Sequence, residues 1–142
     1  MKACKPPDRL PDDSRGKRFA DRILPRGLWM CLFFAAVAVA VFGAPHLPAR
    51  PGLALEATAT LAAGSYCLLN FWRCREAHCI LSGSGWSALA LFEFVELGLG
   101  RSLIGRAEGL VFLVILAVAY GFEAWWRASH GTKVLSTETR RG

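Results

Sequence analysis

The chain has 142 residues, 54% of them hydrophobic and 20% charged, and a formal net charge of +6 at pH 7. That length suits one compact unit and leaves no room for a separate soluble domain of ordinary size. The apolar share exceeds the roughly 45–50% of soluble domains. It is gathered into blocks separated by charge, which points to an all-α integral membrane bundle rather than a soluble core. The basic residues flank those blocks, so they are read as bilayer orientation signals and not as a nucleic-acid interface.

Residues 1–26 are rich in Pro, Asp, Lys and Arg and lack a sustained apolar period. They read as a disordered basic tail, with Lys17, Arg18, Arg22 and Arg26 placed to meet anionic headgroups. Residues 28–44 form the first expected span, at the short end of what crosses a bilayer. A cleaved signal is the competing reading. The long basic region before the block, and Pro45 directly after its small-residue end, favour an uncleaved anchor.

Pro45, Pro48 and Pro51 predict a loop, because the residue before each proline is pushed out of helical geometry. The second span is expected at 53–72, the third at 80–99 and the fourth at 110–126, with a second polar tail from 127 to 142. Trp125 and Trp126 suit an interfacial belt. Fourteen of the seventeen Lys and Arg residues fall on one side of such a bundle, in the two tails and at Arg73 and Arg75. The positive-inside rule then puts both termini in the cytoplasm of a cell with an inner membrane, together with the connection between spans two and three.

That connection lies in the stretch Asn70 to Gly85, a polar island that carries the chemistry. If the second helix runs on past Trp72, Cys67, Asn70, Cys74 and His78 share one face, because offsets of 3, 7 and 11 residues return near the same angle. Cys79 joins them only where the helix turns. Thiols and an imidazole are donors for soft or borderline ions such as Zn, Cu(I) or Hg, and neighbouring Arg73 and Arg75 favour thiolate. A structural Cys74–Cys79 disulfide is not expected in a reducing compartment. The bland reading is a small core cysteine, an interfacial histidine and arginines that only set topology.

Glutamates inside spans are costly and usually face the bundle interior or water. Glu93 and Glu96 share a helix face, and Glu56 near the far end of the second span brings a third carboxyl close. They form an outer cation site, a proton acceptor, or surface pairs with Arg101 and Arg106. Glu123 is expected beside Arg73, Arg75 or Arg127. The small-residue start of the third span, Ser82 to Gly85 with Ser87, Ala88 and Ala90, favours close helix packing over a re-entrant segment. No catalytic constellation is evident, so a binding or structural role is expected rather than an enzyme. Expected partners are the lipid bilayer, a metal ion, and a membrane protein or a second copy of the chain.

The run Arg73-Cys74-x3-His78-Cys79, followed by Ser82-Gly83-x-Gly85, resembles a motif of small uncharacterised multi-pass prokaryotic membrane proteins. In that motif a proline stands where this chain has Ser84. A looser likeness joins the chain to mercuric-ion transporters, which are similarly small and helical with cysteines in a span and a cytoplasmic loop. The adjacent cysteine pair of their first helix has only Cys31 as a counterpart here. The first likeness carries no known activity and the second is an analogy; the donor types and their spacing point to soft-metal handling, with Cys74, His78, Cys79 and Cys67 as ligands. The rival functions are an accessory membrane subunit and a thiol-redox protein using Cys74 and Cys79.

Overall fold

The computed structural model describes residues 19, 20, 22–24, 27–105, 107–132 and 135. Among them lie four long helices and no strand: α1 (Leu28–Gly43), α2 (Ala49–Cys74), α3 (Ala77–Leu99) and α4 (Glu108–His130). A single 3-10 turn, Ala44–His46, joins α1 to α2. All four helices, counting that turn with α1, are long and apolar enough to cross a membrane, consistent with a multi-pass membrane protein. Large apolar side chains such as Trp29, Val39, Leu91, Val95 and Val118 are exposed on the outer faces of the bundle. Such faces suit lipid rather than water.

The helices run past the apolar blocks at several ends. Pro51 is the third residue of α2 instead of part of a loop; a first-turn position has no helical partner for the missing N–H, so proline fits there. Pro48 is the N-cap of α2, and Pro45 lies in the 3-10 turn. At the other end α4 continues beyond Trp126 to His130 and stops at Gly131, whose φ of 70° closes the helix. Part of the expected C-terminal tail is therefore helical. Most of the N-terminal tail, including Lys17, Arg18 and Arg26, lies outside the described residues. Ala20 and Leu24, within a short helical turn there, are buried against the core.

α2 and α3 form the most extensive pair, α4 docks chiefly on α3, and α1 lies mainly against α2. The α2–α3 contact is a backbone approach. A Cβ built on Gly64 would stand 2.7 Å from Ser87 Oγ, 2.9 Å from the Ser87 amide nitrogen and 3.1 Å from the Gly83 carbonyl oxygen. The small residues at the start of α3 therefore serve packing, in one unbroken helix of 23 residues. Further along, Trp86 stacks on Phe112 at 4.4 Å and donates its indole N–H to the Phe112 carbonyl at 3.1 Å, which ties α3 to α4. Phe33 of α1 stacks on Tyr66 of α2 at 5.2 Å.

The glycine approach makes a signed prediction. Gly64→Ala forces a methyl into the Ser87 backbone and should destabilise the bundle by about 1–3 kcal/mol. Gly98→Ala, in the same pair but with nothing within 4 Å of the new Cβ, should be neutral or stabilising by up to about 1 kcal/mol. Unfolding curves in detergent micelles would read both, and equal effects would contradict a tight α2–α3 seam.

Candidate metal centre

α2 ends at Cys74 and α3 begins at Ala77, so only Arg75 and Glu76 make the turn. Arg75 takes a left-handed conformation, φ 53° and ψ 26°, and its N–H bonds the Phe71 carbonyl as a helix C-cap does. Its guanidinium lies over the Phe71 ring at 5.7 Å, and its carbonyl accepts a backbone hydrogen bond from Leu135 at 2.9 Å. Glu76 is extended and leads into α3. The turn is shorter than the apolar pattern predicts because both helices reach into the polar island. His78 consequently belongs to α3, not to the stripe of Cys67, Asn70 and Cys74 on α2.

His78 is the second residue of α3, so its backbone N–H has no partner within the helix. Glu123 of α4 supplies one: its Oε2 accepts the His78 N–H at 3.4 Å and also bonds the ring Nδ1 closely. Glu123 thus caps a neighbouring helix and orients the imidazole with the same oxygen. It does not pair with Arg73, Arg75 or Arg127 as the charge pattern suggested. Tyr120, one helical turn earlier on α4, stacks on the ring at 4.8 Å with the planes 10° apart.

With Nδ1–H committed to Glu123, the Nε2 lone pair faces the turn. It lies 3.3 Å from Cys79 Sγ and 3.8 Å from Glu76 Oε2. One donor atom from each of Glu76, His78 and Cys79 lies within 4.8 Å of the others. Glu76 and Cys79 are buried, and the His78 and Glu123 side chains are each 15% exposed. The carboxylate–histidine arrangement is the one that metal-ligating histidines commonly use to fix tautomer and ring angle. Asn70 donates to Cys79 Sγ at 3.3 Å from the α2 side.

The other expected ligands fall elsewhere. Cys67 is a free thiol buried in the apolar core beside Tyr66 and Trp86. Cys74 is disulfide-bonded, whereas Cys31, Cys67 and Cys79 are free. A disulfide sulfur offers no thiolate, so Cys74 is not a ligand in this state. Its Sγ lies 3.8 Å from Asn70 Oδ1. Cys79 keeps its thiol, so the disulfide of Cys74 is made with another cysteine, a bond that the expectation of a reducing compartment did not foresee. Sequence reasoning left Glu76 without a role and gave Glu123 the wrong partner. The one available signal was that Glu76, His78 and Cys79 occupy a single helix start.

At the opposite end of the bundle, Glu56, Glu93, Glu96 and Glu108 are all buried. Glu93 accepts from Thr60 Oγ1 at 3.4 Å, Glu96 from the Leu103 amide, and Glu108 from Ser102 Oγ at 2.5 Å. The surface pairing with Arg101 does not occur; Arg106 lies outside the described residues. No protein family, curated protein or solved structure matches this chain. The two polar ends are therefore argued from their own geometry.

The Glu123–His78 pair can be measured. Glu123→Ala should cost about 1.5–3 kcal/mol, the range for a hydrogen bond to a charged group. A double-mutant cycle with His78→Ala should leave a coupling of about 1 kcal/mol. A coupling indistinguishable from zero would remove the orienting role of Glu123.

Proposed function

We propose that this chain is a multi-pass protein of a cell inner membrane that binds a zinc-class ion at the α2–α3 turn. Glu76, His78 and Cys79 are the protein ligands. The observation that carries the reading is one oxygen, one nitrogen and one sulfur donor converging within 4.8 Å, with the histidine already oriented by a carboxylate. That mixed set suits borderline Zn2+ better than Cu(I) or Hg2+, for which thiolate-rich sites are the natural hosts. A thiol ligand must lose its proton on binding, so uptake releases protons. Three protein ligands leave a position for water or for an incoming group. The charge distribution of the chain supports a cytoplasmic turn and cytoplasmic termini.

The full chain in detergent, reduced and titrated with Zn2+ by calorimetry, should take up about one ion at this turn. Cys79→Ser and His78→Ala should each weaken binding by about tenfold or more, the usual effect of losing a first ligand or its support. Cys67→Ser and Cys31→Ser should leave it unchanged. Equal binding by wild type and a Cys79→Ser/His78→Ala double variant would sink the proposal.

A second reading has its own observation. Asn70 touches both the Cys79 thiol and the sulfur of the disulfide-bonded Cys74. A Cys79 thiolate placed there attacks the Cys74 disulfide, forming a Cys74–Cys79 bond and releasing the former partner as a thiolate. A membrane thiol-redox role follows if mass spectrometry of mildly oxidised protein finds a reversible Cys74–Cys79 bond.

A further inference from the structure

The end of the bundle opposite the α2–α3 turn gathers four buried carboxyls. Glu56 projects from the second turn of α2, Glu93 and Glu96 from the last turns of α3, and Glu108 from the first turn of α4. Their exposures are 3%, 0%, 0% and 1%. Glu56 and Glu108 come together with Ser102 at one cavity. For Glu93, Glu96 and Glu108, one oxygen is anchored by Thr60, the Leu103 amide and Ser102 respectively. The second oxygen of each, and Oε1 of Glu56, are buried and find no N–H or O–H donor among the described residues, while the Glu96 and Glu108 carboxyls lie within hydrogen-bond reach of each other.

These leftover oxygens do not point into packed apolar surface alone. Glu56, Glu108 and Ser102 line a cavity of about 20 Å³ beneath Pro45, Leu47 and Gly52. A space of that size admits a water molecule or a small ion. Among the described residues no cationic side chain forms an ion pair with the cluster. Arg50 is close by, but its guanidinium lies over Gly100, where its Nε would be 3.2 Å from a Cβ. Buried carboxylates without a counter-charge are strongly destabilising, so positive charge has to come from elsewhere.

We propose that Glu56 and Glu108, with the Ser102 hydroxyl, bind a small oxygen-preferring divalent cation of the Mn2+, Mg2+ and Ca2+ class in this cavity. The donors lining the cavity are all oxygens, two carboxylates and a hydroxyl, the ligand type such hard ions select. No sulfur or imidazole is present among these donors, so the site is distinct in chemistry from the turn at the far end. The α1–α2 connection and the α3–α4 connection both close over it, so occupancy locks together two loops that sequence separates by some fifty residues. The first turn of α4 adds a favourable helix-dipole contribution to the Glu108 carboxylate in the absence of ion, but that is small beside the unpaired charge.

The test uses the full chain in detergent with Mn2+ alone, read by loss of the free Mn2+ electron paramagnetic resonance signal. About one ion should bind, Ca2+ should displace it, and Cys79→Ser/His78→Ala should bind equally well. Glu56→Gln/Glu108→Gln should lose at least about tenfold in Mn2+ affinity. The same variant should melt higher than wild type in metal-free buffer, because two unpaired charges are gone, and should show no further shift with Mn2+. Wild type should gain thermal stability with Mn2+. A folded wild type that binds no more Mn2+ than the glutamine variant would overturn the proposal and leave protons as the only counter-charge. Loss of binding in the Cys79→Ser/His78→Ala variant would also overturn it, by showing that the ion sits at the other end.

Discussion

Gly64 and Gly83 let α2 and α3 meet backbone to backbone, with Ser87 pressed against the α2 chain. A larger residue at Gly64 would push the helices apart by the length of a methyl. The two-residue turn at Arg75 and Glu76 would then have to stretch, and Asn70 of α2 would draw away from Cys79 of α3. The same seam sets the register at the other end, where Thr60 of α2 meets Glu93 of α3. One close contact therefore places polar groups at both ends of the hairpin. α4 completes each end with a single carboxyl, Glu123 beside His78 and Glu108 beside Glu96.

The two ends are sorted by donor hardness. The turn end offers sulfur, nitrogen and oxygen, with an outer carboxylate fixing the imidazole. The opposite end offers oxygen only. Between them lies a core built from Ala63, Tyr66, Cys67, Trp86, Leu89 and Phe112. The ends are best regarded as independent, so a change at one should leave binding at the other intact.

The helical bundle was legible because long uncharged blocks leave few alternatives to a spanning helix. Packing by the small residues of Ser82 to Gly85 was legible for a similar reason, since a smooth helix face invites a close neighbour. The turn was harder. Apolar periodicity stops at Trp72 and resumes at Ile80, yet both helices continue through polar residues that their neighbours satisfy. That hid the change of helix between Cys74 and His78 and broke the expected ligand stripe. Glu123 was misplaced for another reason: its partner His78 lies 45 residues away, and charge alone pointed to Arg73, Arg75 or Arg127. His78 and Cys79 were the parts of the site that local sequence could reveal, because both donors sit next to each other at one helix start.

The most direct measurement is X-ray absorption at the zinc edge on the Zn2+-loaded chain. The account predicts about one sulfur ligand near 2.3 Å with nitrogen and oxygen ligands near 2.0–2.1 Å, and loss of the sulfur shell in Cys79→Ser. A shell of nitrogen and oxygen alone in the wild type, or a sulfur shell that survives in Cys79→Ser, would contradict it.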